Sequence, residues 1–215
     1  MRLGLIGDVH AEDELLVRAL AALRDQRVDR VLCTGNLVDG RGDVDRACRL
    51  LAEADALVVR GNHDRWIRSD EMRSVPHAHT MTRVAVETIA FLKGLPVSSY
   101  VDTPAGKLLL CHGIGGNDMG CLGDDARGIA LARNEDLLAL LLDPSVTFMV
   151  GGHTRQPMVR RFERGSGRAP LIVVNPGTLV RDEAPGFSVL DLAARTVARH
   201  VLEPDATRHE STRAL

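Results

Sequence analysis

Six short apolar runs in this 215-residue chain each stop at glycine or a polar cluster: RLGLIGDVH, VDRVLCTGN, DALVVRGNH, KLLLCHG, VTFMVGGH and LIVVNPG. Short apolar runs between such punctuators read as buried strands. Five of them end on side chains that bind metals or move protons. Asp8 and His10 follow the first, and Asn36 and Asp39 the second. Asn62, His63 and Asp64 follow the third, His112 follows KLLLC, and His153 follows VTFMV. In open α/β sheets, ligands bind beyond the carboxyl ends of the strands, so these side chains are expected along one edge.

Between the runs lie helical patterns. In EDELLVRALAALRDQ, Leu15, Leu16, Ala19, Leu20 and Leu23 share one face and acids occupy the first turn. DVDRACRLLAEA, RVAVETIAFLKGL and ARGIALARNEDLLALLL behave similarly, and the C-terminal part turns to strands joined by turns. Alternation followed by a strand-rich half predicts an α/β fold with mixed sheets. There is no composition break, repeat or low-complexity segment. The reading is therefore a single domain over 1–203 and a polar, fraying tail over 204–215, PDATRHESTRAL after Glu203.

Composition narrows the function classes. A formal net charge of -2, with dispersed arginines and only 3% aromatic residues, gives no signal for nucleic acid or a membrane surface. Cys33, Cys48, Cys111 and Cys121 have no C-x-x-C spacing, which favours reduced thiols over disulfides or a zinc knuckle. MRLGLIGDVH lacks the apolar segment of a signal peptide and no apolar run approaches spanning length, so the expected location is cytoplasmic.

Each polar strand end is weak evidence alone. An Asp-x-His is usually only a loop, and a lone His112 is more often a satisfied polar residue near a core. Five matching ends in one chain are another matter, because imidazole and carboxylate converging from several strands suit a divalent transition metal. Glycines before the ligands (Gly7, Gly35, Gly61, Gly152) allow tight turns there. His77 and His79 read as surface loop residues, and His200 and His209 carry no signal.

Taken in order, GDVH, GNLVD, RGNHD, LLLCHG and GGHTRQP resemble the calcineurin-like metallophosphoesterases, above all their small bacterial and archaeal phosphodiesterases. VNPGTL is similar to the family's terminal segment. The resemblance covers about residues 1 to 190. It implies a four-layer α-β-β-α sandwich of two mixed sheets flanked by helices, and a cytoplasmic hydrolase acting on a small phosphomono- or phosphodiester, of nucleotide type among others. It further implies divalent metal (Mn, Fe, Zn or Ni) at Asp8, His10, Asn36, Asn62, His112 and His153. His63 matches the histidine beside the leaving oxygen, Asp39 the acid that orients it. A homo-oligomer is compatible with the resemblance.

The sequence departs from the family pattern twice. Asn36 stands where the family has its metal-bridging aspartate, and Arg155 where it has a first-metal histidine. Together they shift the pocket by about two charges, and one charge at ~4 Å and an effective dielectric near 20 is worth about 4 kcal/mol. The expectation is therefore one ion per chain rather than two. Arg155 is expected to pair with Asp8 and to clamp phosphate. The alternative is a catalytically impaired relative that binds a nucleotide, phosphorylated ligand or protein partner.

Overall fold

The computed structural model describes residues 1–165 and 167–215. Eleven strands form two mixed sheets. The first has six strands in the order β11-β10-β9-β1-β2-β3: β1 Arg2–Ile6, β2 Arg30–Cys33, β3 Leu57–Val58, β9 Gly186–Asp191, β10 Thr196–Leu202 and β11 Thr207–Ala214. The second runs β4-β5-β6-β8-β7, from β4 Ser98–Thr103, β5 Gly106–Cys111, β6 Val146–Val150, β7 Met158–Phe162 and β8 Leu171–Asn175. Strands β1, β2 and β3 are parallel, as are β5, β6 and β8, so their carboxyl ends point the same way within each sheet.

Side-chain alternation explains the layering. Leu3 and Leu5 of β1 face Leu108 and Leu110 of β5 and Ile172 and Val174 of β8 in a core between the sheets. Residues one step out of phase, such as Ile6, Cys33 and Val189, face outward. They pack on α1 Asp13–Asp25, α2 Val44–Glu53 and α4 Val86–Gly94 through Leu16, Leu23, Leu51 and Leu92. On the other side Leu109, Cys111 and Val173 meet Leu137 and Leu140 of α6 Glu135–Leu142. The result is a four-layer α-β-β-α sandwich. No helix among the described residues is long and apolar enough to cross a membrane.

The structure corrects several expectations. The segment 204–215 does not fray as a tail: β11 pairs with β10 from Thr196↔Ala214 to Leu202↔Thr207. Arg18 of α1 also donates to the carbonyls of Glu203 and Ala206 in the connecting turn. The ladder holds a segment whose side chains are all polar or small, and main-chain bonding leaves no hydrophobic signature. The helical stretch 126–142 is broken into α5 Ile129–Ala132 and α6, because Asn134 turns out of the helix to accept the Leu137 N–H at 3.0 Å. DALVVRGNH yields a strand of only two residues and runs straight into α3, Asn62–Ser69, which begins on the polar residues themselves. Cys33, Cys48 and Cys111 are buried free thiols, and burial pushes Cys33 and Cys111 up to about 12.

Candidate functional site

The carboxyl ends of β1, β2, β3, β5 and β6 meet over a cleft of about 520 Å³. Asp8, His10, Asn36, Asp39, Asn62, His63, His153 and Arg155, all named from the sequence, line it. His112, 1% exposed, sits behind them. The loops that carry them are tightly wound. His10, Asn36, Asp39, His153 and Arg155 all have φ between 44° and 64°, a region that non-glycine residues seldom occupy and that clusters at functional sites. Close packing fixes the glycines: a Cβ at Gly152 would lie 2.7 Å from Asp8 Oδ2, and one at Gly61 would lie 2.2 Å from Asn36 Oδ1.

Buried Asp64, named at a strand end, proves to be scaffold. Its carboxylate accepts from the backbone N–H groups of Gly61, Asn36 and Leu37 at 2.7–2.8 Å, capping α3 and tying it to the β2 loop. That leaves it no free lone pair directed at a ligand.

One group of donors converges on a point. His112 Nε2 lies 2.9 Å and His153 Nδ1 3.2 Å from Asn62 Oδ1. These are the separations expected between neighbouring ligands of one ion bound at about 2.1 Å. Protonation supports the same reading. His112 Nδ1 donates to the Thr34 carbonyl at 2.7 Å, so in the neutral ring Nε2 carries a lone pair that faces the lone pairs of Asn62 Oδ1. A cation between them relieves that repulsion. Burial pushes His153 below its ordinary range, keeping it in the neutral form that ligates. Asn62, His112 and His153 thus fit one divalent ion. Among the described residues no three His, Cys, Asp or Glu side chains form such a group by themselves, so the Asn62 carbonyl is needed as the third donor.

The neighbouring position does not fit. Asn36 Oδ1 accepts the His63 N–H at 3.0 Å, which turns Nδ2 toward Asp8 Oδ1 at 2.9 Å and Asn62 Oδ1 at 3.3 Å. Flipping the amide would set two donors against each other at His63. An N–H₂ group therefore points where a bridging carboxylate would offer lone pairs. Asp8 is committed too: Oδ1 to Asn36 and Oδ2 to the His153 N–H at 3.1 Å. Burial disfavours its charge, yet the nearby rings of His10 and His112 and the Asn36 amide outweigh burial and hold it well below the carboxylate range. His10 donates through Nδ1 to the Asp39 carbonyl at 2.9 Å, with Nε2 3.8 Å from Asp8. Burial opposes charge on His10, but Asp8 prevails and raises it, which favours a second ring proton over a metal bond.

Arg155 does not pair with Asp8, as the sequence suggested; it reaches Glu183 at 3.0 Å. The β8–β9 loop that brings Glu183 to the rim had no signal in the sequence.

The cleft's other wall carries a histidine and its orienting groups. His63 Nδ1 is 2.8 Å from Asp39 Oδ2, leaving Nε2 as the ring nitrogen available to the cleft. Two further contributors were missed from the sequence. Arg73 forks onto both Asp39 oxygens at 3.0 and 3.1 Å. His79, expected as a surface residue, is half-buried; its N–H donates to Asp39 Oδ1 at 2.8 Å and its Nδ1 accepts the Asp39 N–H at 2.9 Å. Burial raises Asp39 and these bonds outweigh it, keeping the carboxylate ionised. An acid-to-arginine link across 34 residues leaves no local pattern to read. His77 remains exposed but lines the cleft and accepts from Arg41 Nε at 3.2 Å.

Residues 1–195 match the calcineurin-like phosphoesterase superfamily domain. The chain belongs to that superfamily. A metallophosphoesterase from Sphaerobacter thermophilus superposes with a TM-score of 0.69 at 22% identity, covering 94% of this chain and 89% of its own. YfcE, a phosphoesterase from E. coli, gives 0.59 at 15% identity over 100% and 99%. A novel archaeal phosphodiesterase gives 0.61 at 15% identity over 94% and 100%. At these identities the likeness is one of fold. No curated protein matches the chain in sequence at a significant level.

Proposed function

We propose that the chain is a phosphoesterase that works with one divalent transition ion, held by Asn62, His112 and His153, on a small phosphorylated substrate. The observation that carries this reading is the Arg73–Asp39–His63 relay, assembled on the wall of the same cleft. A ligand-binding relic has no use for a histidine fixed in one tautomer by a saturated carboxylate. When bound, the ion supplies charge neutralisation to phosphate and lowers the pKa of a water.

The chain's own groups do the rest. Arg155 and the cleft-facing His63 offer donors to the phosphate oxygens, with few free carboxylates left to repel them. Asp39 holds the His63 ring so that a proton on Nε2 is directed into the cleft, at the departing oxygen. Buried Asp8 stays ionised without binding the ion directly, and adds negative charge beside it.

A second reading rests on one specific observation: the Asn36 N–H₂ aimed between Asp8 and Asn62. It makes the site a phosphate binder without hydrolysis. Turnover of bis(p-nitrophenyl) phosphate and p-nitrophenyl phosphate with Mn²⁺ separates the two. The first reading expects Mn²⁺-dependent release of nitrophenol that His63→Asn suppresses. Saturable phosphate binding without turnover would establish the second instead.

A further inference from the structure

At the mouth of the cleft two arginines are each held by an acid of the same short loop. Arg41 Nη1 contacts Asp182 Oδ2 at 3.1 Å, and Arg155 Nη1 contacts Glu183 Oε1 at 3.0 Å. The acids are adjacent in sequence, between β8 and β9. Arg181 anchors that loop from below, doubly bonded to buried Glu12 through Nε at 2.9 and 3.0 Å. So the loop's base is fixed, and Asp182 lines the cleft. Arg41 also donates through Nε to His77 on the opposite rim.

We propose that Arg41 forms a second anion subsite, gated by Asp182, so that the preferred ligand carries two separately charged acidic groups. One is the phosphoryl group bound near His63 and Arg155. The other, a phosphate or carboxylate, displaces Asp182 from Arg41. This rests on reading the cleft as a phosphoester site.

Three observations support it. Arg41, Arg155 and Asp182 all line the cleft. The Arg41–Asp182 pair is exposed, at 52% and 63% of side-chain surface, and such pairs contribute little, so exchange is cheap. A phosphate offers the guanidinium a bidentate, charge-assisted partner that outcompetes a single exposed carboxylate oxygen. Asp182 thus occupies the Arg41 guanidinium where the second anion would bind.

The test is calorimetry on the full chain in metal-free buffer at fixed ionic strength. Its probes are methylenediphosphonate, with two anionic groups and no hydrolysable bond, and methylphosphonate, with one. Asp182→Asn should tighten methylenediphosphonate roughly three- to fivefold and methylphosphonate much less, while Glu183→Gln should tighten both. Arg41→Ala should weaken the two-anion probe more than the one-anion probe and should cancel the Asp182→Asn gain when the changes are combined. Equal tightening of both probes by Asp182→Asn, or a gain that persists without Arg41, would mean a general change in the cleft's field and overturn the subsite. Because binding is read without turnover, a failed hydrolysis assay leaves this result standing. Conversely, loss of the subsite leaves monoester turnover to be judged separately.

Discussion

The two halves of the cleft floor are built from the same strand ends and differ in what their atoms present. Around Asn62, His112 and His153, the two ring nitrogens lie 2.9 and 3.2 Å from Asn62 Oδ1, which otherwise receives only the longer Asn36 amide contact at 3.3 Å. Around Asp8 and His10, both Asp8 oxygens and His10 Nδ1 have protein partners, and the amide of Asn36 supplies one of the donors. The first half keeps ring nitrogens and an amide oxygen close enough to share a cation. The second is already satisfied. A metal site is recognised by available lone pairs rather than by the number of histidines and acids nearby, and the Asn36 amide presents a donor where a carboxylate would present lone pairs.

The comparison can be broken most severely at His112. Replacing His112 by Ala removes a ligand of the first half and should take Mn²⁺-dependent turnover to background, with ion affinity, measured by competition with a fluorescent chelator, lowered at least ~100-fold. Retained affinity would move the ion elsewhere.

Asp64→Ala tests whether an acid of this edge is scaffold. Three backbone N–H groups lose their buried acceptor, and urea unfolding should show about 3 kcal/mol of lost stability. A change in ion affinity at unchanged stability would make Asp64 a ligand instead.

His63→Asn should lower kcat roughly hundredfold while metal content, by elemental analysis, stays at the wild-type value. Loss of the ion in that variant would place His63 among the ligands. The smallest effect belongs to the satisfied half: His10→Ala should shift ion affinity less than about threefold, since the ring bonds to the Asp39 carbonyl and lies against Asp8 rather than holding an ion. A loss comparable to that of His112→Ala would erase the distinction between the halves.

Much of this was legible in the sequence, for physical reasons that differ by residue. Runs such as KLLLC and VTFMV alternate between two apolar environments, the inter-sheet core and the outer helices, so they announce buried strands and locate His112 and His153 at their ends. That Asn36 is an amide rather than a carboxylate is legible in the sequence. Its orientation is not, because the His63 N–H that fixes it belongs to the first turn of α3, which the apolar pattern does not mark. The resemblance puts Arg155 beside Asp8, at the place of a first-metal histidine; Glu183 lies 28 positions on and reaches it only through the anchored loop after β8. Arg73 and His79 likewise reach Asp39 across 34 and 40 positions, which is why His79 reads as a surface loop residue and Arg73 carries no signal. β11 shows a further limit: Thr207–Ala214 has no buried face, and only pairing with β10 makes it a strand.

The central claim is that this site holds one ion, and counting ions tests it most directly. Wild type and the double variant Asn36→Asp/Arg155→His would be saturated with Mn²⁺, freed of excess metal and measured by inductively coupled plasma mass spectrometry. The double variant turns a donor into a bridging carboxylate and adds an imidazole in place of a cation; because both changes act on one position, their effects should be non-additive. The account predicts one ion per wild-type chain and two per double-variant chain, with either single variant close to one. Two tightly held ions in the wild type would contradict it.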